Sequence, residues 1–310
     1  MAKYEKIGLI GLGVMGYGLG KNLLKAGYTV IVYDVFEKSI DRFVEGMKTD
    51  VPGTEDKVIR AKNAADITNY TNVIVTMVPN SPNVEEAYYG EGGIVSEGKT
   101  DDLFLIDMSS ISPVATQKFA KDLAERGIKF VEGPVSGGQS GALNGTLTIM
   151  CGGPKEYIDD AMEIFEAVGS KIVNCGEAGA GQTVKVTNQL MSAINLISLS
   201  EAFTLCAKAG VDPQIAMDVI TAGSGKCWAL DNRLPEIMKG NFEPGFKIDL
   251  HTKDIKLAVE MAKEYDIPLP VTDMVCNIFK TAQKKGLGGK DNCAVIKLYE
   301  ELAGVEVRSK

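Results

Sequence analysis

What this chain has little of narrows its chemistry first. It has a single histidine, His251, and six cysteines placed singly (Cys151, Cys175, Cys206, Cys227, Cys276 and Cys293), with no Cys-x-x-Cys pair. A structural zinc site needs four such ligands at set spacings, so no metal is expected. Scattered thiols suit the reducing interior of a cytoplasm. Basic residues are also short: 33 Lys and Arg face 41 Asp and Glu, a formal net charge of -8. With no clustered basic patch, neither nucleic acid nor an anionic membrane surface is an expected partner. No basic segment, apolar core and cleavage site open the chain; Lys3, Glu5 and Lys6 there alternate with other residues as in a strand. The apolar run from Leu190 to Leu199 is interrupted by Asn195 and Ser198, and is read as no membrane span. Internal repeats and low-complexity tracts are absent as well.

What is present is enough apolar material for two cores. At 310 residues and 45% hydrophobic content the chain exceeds what one core usually serves. The texture changes after "IVNCGEAGAG", so two domains are expected, residues 1–177 and 178–310.

The first opens with "KIGLIGLGVMGYGLGKNLLKAGYTVIVYD", which reads as strand, glycine turn, helix, strand. Gly11, Gly13 and Gly16 form G-x-G-x-x-G, with Leu12, Val14 and Met15 between them. In a pyrophosphate-binding fold the first glycine allows the tight turn. The second admits the phosphates to the backbone, and the third lets helix pack on strand. The helix N-terminus then offers N–H groups and positive dipole to the phosphates. Alone the motif is weak, but here it follows a strand, opens a helix and is answered by Asp34 at the end of the next strand. Asp34 should accept from the adenine ribose hydroxyls and repel a 2′-phosphate, and neither Val35 nor Phe36 brings an arginine to reverse this. NAD is therefore the expected cofactor, with NADP admitted, and a solvated strand-end aspartate near Lys38 is the competing reading.

Further strands are expected over Asn72 to Pro79, Leu103 to Ser110, Ile128 to Gly138 and Thr146 to Gly153, with a helix from Pro113 to Arg126. Alternation of this kind makes a doubly wound, mostly parallel sheet, whose ligands gather at the carboxyl ends of the strands. Val78 and Pro79 with Asn83 beyond, Ser109 and Ser110, and Ser136, Gly137 and Gly138 sit at three such ends. Small residues there expose backbone N–H groups that can hold a carboxylate, although each, taken alone, is more often a turn than a site.

From about Gln182 to Ala209 the chain reads as one helix, about 40 Å long at 1.5 Å per residue. Leu190, Met191, Ile194, Leu196, Ile197 and Leu199 give it more apolar surface than a small domain covers, which points to a homodimer or homotetramer built on this helix. Yet Gln182, Lys185, Asn188, Gln189 and Ser192 share one polar face. A buried ammonium is costly without partners. Lys185 is either a lysine snorkelling to the surface or a proton donor and acceptor. Alcohol and aldehyde redox with a nicotinamide needs such a partner for the hydride. His251, in "FKIDLHTKD", has no clear orienting acid, and the one Tyr-x-x-x-Lys pair, Tyr17 and Lys21, lies on the cofactor helix. Lys185 remains. A separate candidate lies in "GSGKCWALDNR", where Lys226 is placed to pair with a second anionic group on a substrate, or is merely solvated.

Taken in order, "IGLIGLGVMGYGLGKNLLKAGYTVIVYD", "VTMVPNSPNVEEAYYG", "DMSSISP", "EGPVSGGQSGALNGTLTIMCGG" and "GAGQTVKVTNQL" resemble the β-hydroxyacid dehydrogenases, the 3-hydroxyisobutyrate dehydrogenase group, over nearly the whole chain. The resemblance implies an α/β Rossmann N-terminal domain followed by an all-α C-terminal domain, acting on a small hydroxy acid or its semialdehyde. It implies Lys185 as general acid/base, Asn188 and Gln189 at the substrate, and Ser136, Gly137 and Gly138 on its carboxylate. It further implies Val78, Pro79, Asn83 and Ser110 at the cofactor, with Lys253 of "HTKD" closing over the nicotinamide. Within the group, "FEPGFKIDLHTKDI" most resembles the tartronate semialdehyde (2-hydroxy-3-oxopropionate) reductases, whereas "SSISP" and "AVIKLYEELAGVEV" are also similar to 2-(hydroxymethyl)glutarate dehydrogenase. Two departures are a segment near Thr49 to Lys57 and Gln189 where some relatives carry asparagine. A non-catalytic NAD-binding sensor on the same fold is the reading of another class.

Overall fold

The structure is a computed structural model and describes residues 3–309. Of the described residues, 3–185 form one compact unit and 186–309 another.

In the first unit β1 (Lys6–Ile10) leads through α1 (Val14–Lys25) to β2 (Thr29–Tyr33), then α2 (Glu37–Asp50), β3 (Val58–Arg60) and β4 (Val73–Thr76). The segment from Thr49 to Lys57 is the α2–β3 connection, a turn and one short 3-10 stretch. Next come α3 (Ser81–Tyr89), α4 (Ile94–Glu97), β5 (Phe104–Asp107), α5 (Pro113–Glu125) and β6 (Lys129–Glu132). These six strands lie in the order β3-β2-β1-β4-β5-β6, and every pair is parallel. The near-continuous apolar strands follow from a sheet covered on both faces. Side chains alternate between faces with a period of two. Leu9, Val30, Val32, Val73, Val75 and Ile106 therefore pack in one cluster with Leu19 and Leu23 of α1. Ile10, Ile31, Ile74 and Leu105 pack in the other, with Val84, Tyr88, Phe119 and Leu123 of α3 and α5.

The stretch from Ile128 to Gly138 is not one strand. Gly133 and Pro134 break it, and the chain leaves the main sheet to start a smaller one of β7 (Val135–Ser136), β8 (Leu147–Cys151) and β9 (Gly169–Asn174). Strand β7 runs antiparallel to β8, and β8 parallel to β9. Helix α6 (Gly138–Asn144) joins β7 to β8, and α7 (Lys155–Val168) joins β8 to β9.

Helix α8 (Ala180–Lys208) begins in the first unit and continues into the second. By length and hydropathy it is apolar enough to cross a membrane, as the core helix of a globular domain also is. The α/β texture ends near residue 177, yet the packing division falls at Lys185, because the first turn of α8 is hydrogen-bonded into the first unit. The second unit goes on through α9 (Pro213–Ala222), α10 (Trp228–Asn232), α11 (Leu234–Met238), α12 (Ile248–Glu264), α13 (Pro270–Ala282) and α14 (Ile296–Ala303). Its core gathers Leu196, Phe203, Leu234, Ile237, Ile248, Ile255, Phe279 and Ile296. The architecture is a Rossmann-type sheet followed by a helical C-terminal region.

Candidate active site

The β1–α1 turn has the form a dinucleotide requires. Gly11 takes φ +92°, and a Cβ there would lie 2.2 Å from the Met77 carbonyl oxygen. At Gly16 a Cβ would lie 1.8 Å from the Gly11 carbonyl oxygen, so only glycine lets α1 sit this close to the strand. A Cβ on Gly13 would meet nothing within 4 Å, and Gly13 and Val14 are exposed. The turn is thus closed on its protein side and open at the second glycine, the position at which dinucleotide-binding folds bring backbone to phosphate.

Asp34 is held beside this turn. One carboxylate oxygen accepts from the Leu12 N–H at 2.7 Å and the other from the Phe36 N–H at 2.8 Å. The Leu12 carbonyl in turn accepts from Arg42 at 2.5 Å. A carboxylate fixed by two N–H groups is a preorganised acceptor rather than a freely solvated strand end, and Lys38 is not needed to hold it. Tyr17 and Lys21 are both directed at Asp50, at 3.1 and 3.3 Å, so that pair buttresses α1 against α2.

The ends of β4 and β5 are joined by a buried polar network. Thr76 Oγ1 donates to Asp107 at 2.8 Å and meets the Tyr88 hydroxyl at 3.2 Å, while Ser109 Oγ accepts from the Val78 N–H at 2.9 Å. The Ser112 N–H donates to Ser81 Oγ. Val78, Pro79 and Ser110 are therefore carried on two loops locked to each other, with Asn83 exposed in the first turn of α3, whose N-cap is Asn80.

Ser136 is the last residue of β7, and Gly137 and Gly138 follow at φ +137° and +61°, values L side chains rarely adopt. A Cβ on Gly138 would meet nothing within 4 Å. Helix α6 behind this loop is fastened to the cofactor helix: Asn22 Nδ2 donates to the Ala142 carbonyl at 2.7 Å, and Gly18 comes so near Ala142 that a Cβ would lie 2.5 Å from its carbonyl carbon.

Lys185 is only 7% exposed. The turn before it is anchored twice. Gln182 is fully buried; its Oε1 accepts from the Ile111 N–H at 3.1 Å and its Nε2 donates to the Ser109 carbonyl at 2.8 Å. Glu132, also fully buried, accepts from the Gly179 and Gly181 N–H groups at 2.8 Å each. Gln182, which the helical spacing places on one polar face with Lys185, is in fact an anchor to the β5–α5 loop. No local spacing marks Glu132, which reaches α8 from β6; the only trace in the sequence is an acid at the end of an apolar strand.

In the second unit Asn188 is exposed, and Gln189 behind it is buried. Asn188 Nδ2 donates to Gln189 Oε1 at 3.1 Å, and Gln189 Nε2 donates to Asp254 at 2.6 Å. Asp254 also pairs with Lys253 at 3.0 Å. Gln189 thus supports Asn188 with an amide already engaged at both ends. Buried His251 lies between Phe246 and Phe279, its Nδ1 facing Asn292 Nδ2 and its Nε2 facing the Gln189 carbonyl, both at 3.0 Å. Because the Asn292 amide donates to Nδ1, the ring donates through Nε2 and fastens α12 to α8. Lys226 lies on an exposed loop, 3.8 Å from Asp231, and Arg233 stacks on Trp228.

Residues 6–176 match the family described as the NAD binding domain of 6-phosphogluconate dehydrogenase, and residues 179–299 that described as NAD-binding of NADP-dependent 3-hydroxyisobutyrate dehydrogenase. The chain is a β-hydroxyacid dehydrogenase family member, an oxidoreductase that acts on hydroxyl groups with a nicotinamide dinucleotide. It is 39% identical to 2-(hydroxymethyl)glutarate dehydrogenase of Eubacterium barkeri over 309 residues, 99% of each chain. With 2-hydroxy-3-oxopropionate reductase of Escherichia coli strain K12 it shares 35% identity over 301 residues, 96% of this chain and 98% of the relative. The structure matches 3-hydroxyisobutyrate dehydrogenase of Mycobacterium tuberculosis with a TM-score of 0.84 and 29% identity, covering 95% of this chain and 99% of the other.

Proposed function

We propose that the protein interconverts a small 3-hydroxy carboxylate and its semialdehyde with NAD(H), using Lys185 as the group that gives and takes the proton. The observation that carries this reading is a lysine 7% exposed on a helix turn anchored to the Ser109–Ile111 loop. Bound at the Gly11 to Gly16 turn, the cofactor would supply or accept the hydride. Leu12, Val14 and Met15 complete that turn, Asp34 receives the ribose hydroxyls, and Val78, Pro79, Asn83, Ser110 and Lys253 line the remainder of the cofactor. Ser136, Gly137 and Gly138 hold the substrate carboxylate through backbone N–H groups. Asn188 orients the substrate oxygen and Gln189 keeps Asn188 in place. As the carbonyl oxygen gains charge in reduction, the Lys185 ammonium stabilises it and donates its proton; in oxidation the amine receives it.

For the substrate itself two readings compete. The segment "FEPGFKIDLHTKDI" favours tartronate semialdehyde, reduced to glycerate. The 39% identity to 2-(hydroxymethyl)glutarate dehydrogenase favours a dicarboxylate, with Lys226 as the partner of its second carboxylate; 3-hydroxyisobutyrate is the third candidate. The enzyme acts in the cytoplasm, and as a homodimer or homotetramer; Met191 and Leu205, 59% and 70% exposed along α8, support the assembly. The purified protein is offered tartronate semialdehyde, methylmalonate semialdehyde and 2-formylglutarate, each with NADH and with NADPH, while the reduced-nicotinamide absorbance is followed. Turnover of one with NADH supports the reading and selects the branch. Tight NADH binding with no turnover of any would favour the non-catalytic sensor.

A further inference from the structure

We infer that Glu132 is a positioning residue for catalysis: from the end of β6 it caps the first turn of α8 and so determines where Lys185 stands. The inference rests on the reading of Lys185 as the proton carrier.

A helix leaves its first N–H groups without intrahelical partners, and normally a Ser, Thr, Asp or Asn at the cap position takes one of them. The approach to α8, Gly176 to Gly181, holds no such residue: its sequence is Gly-Glu-Ala-Gly-Ala-Gly. Glu132 takes the role from 47 and 49 residues away, one oxygen accepting from both Gly179 and Gly181.

The surrounding chain is shaped to admit it. A Cβ on Gly152 would lie 2.1 Å from the accepting oxygen of Glu132. At Gly181 a Cβ would lie 2.1 Å from the Met150 carbonyl oxygen and 3.2 Å from that same carboxylate oxygen. Glycine at both positions is what lets the carboxylate reach the backbone. Lys185 follows Gly181 by four residues, one turn further along the same side of α8. A tilt of the first turn therefore displaces the ammonium directly. Gln182, between them, ties the same turn to the β5–α5 loop.

The pocket contains no ion pair for this acid among the described residues. The second oxygen of Glu132 is buried without a hydrogen-bond partner, and the fields of Asp107, Cys151 and Cys175 reach this carboxyl. Burial pushes the carboxyl up to about 8, against the pull of the Gly181, Gly179 and Gln182 N–H groups toward the charged form. The cap is consequently neutral through most of the physiological range, its accepting oxygen serving as the carbonyl of a carboxylic acid. Glutamine reproduces that state; alanine and aspartate do not, the first lacking the acceptor and the second a methylene of reach.

The test compares Glu132→Gln, Glu132→Asp and Glu132→Ala in the full-length protein, using whichever semialdehyde turns over and NADH. Expected is a fall in kcat of at least tenfold for Glu132→Asp and Glu132→Ala with KM for NADH within twofold of the parent, and rescue by Glu132→Gln to within about threefold at pH 7. The kcat profile of the parent should carry an ionisation near 8 that Glu132→Gln lacks. If Glu132→Ala does not fold, the Gln and Asp variants decide alone. Equal kcat in Gln and Asp variants, or an unchanged alkaline limb in Glu132→Gln, overturns the inference. Lys185→Ala is measured alongside: if it turns over normally, the assignment of Lys185 fails, whereas an inactive Lys185→Ala beside indifferent Glu132 variants removes Glu132 alone.

Discussion

Gln182→Leu tests how firmly the turn before Lys185 is tied down. The substitution nearly conserves side-chain volume and removes both amide atoms. It strands the Ile111 N–H, now donating at 3.1 Å, and the Ser109 carbonyl, now accepting at 2.8 Å. Ile111, Ser109 and Gln182 are all fully buried, so solvent cannot readily replace either partner. Each stranded buried group costs about 1–3 kcal/mol, roughly 2–6 kcal/mol together. The only tryptophan, Trp228, lies in the second unit and reports poorly on the first. Urea unfolding followed by far-UV circular dichroism is therefore the assay, with the midpoint falling at constant m-value. Turnover should fall too, because Lys185 follows Gln182 by three residues on the helix. A loss of stability below about 1 kcal/mol would refute the anchoring argument, whatever happened to the rate.

Other outcomes follow from the same geometry. Asp34→Ala removes the acceptor of the Leu12 and Phe36 N–H groups and the acceptor proposed for the ribose; the loss of a charge-assisted bond of about 1.5–3 kcal/mol should weaken NADH binding roughly 10- to 100-fold and erode its preference over NADPH, as measured by fluorescence titration of both. Lys226→Ala should lower kcat/KM for 2-formylglutarate more than for methylmalonate semialdehyde; an unchanged ranking removes Lys226 from substrate recognition. Glu132, raised from 4.5 to about 8, binds its proton more tightly folded than unfolded. Its contribution to stability is full below about 4.5 and is lost as pH rises through about 8, at about 1.4 kcal/mol per pH unit between them. Unfolding free energies measured from pH 5 to 8 should thus fall less steeply in Glu132→Gln than in the parent, and parallel curves would contradict the burial argument.

The Rossmann half is legible in the sequence because its signals are local. Gly11, Gly13 and Gly16 lie within six residues, Asp34 follows the next strand, and short, mostly apolar strands alternate with helices at short range. The small second sheet is not legible, since "IKFVEGPVSGG" is apolar on both sides of Gly133-Pro134 and only tertiary pairing tells that Val135 faces Ile149. Long-range polar contacts are equally hidden. Helical spacing puts Gln182 with Lys185, but it cannot tell a residue facing a substrate from one bonded to Ser109 and Ile111. The same limit applies to His251, whose lack of a neighbouring acid argues against catalysis without revealing that it grips the Gln189 carbonyl.

Whether Lys185 moves the proton is decided by kcat for Lys185→Ala with NADH and the semialdehyde the parent reduces. A proton carrier at this position requires a loss of at least about a hundredfold, with NADH affinity and the circular dichroism spectrum unchanged. A rate near that of the parent would contradict it.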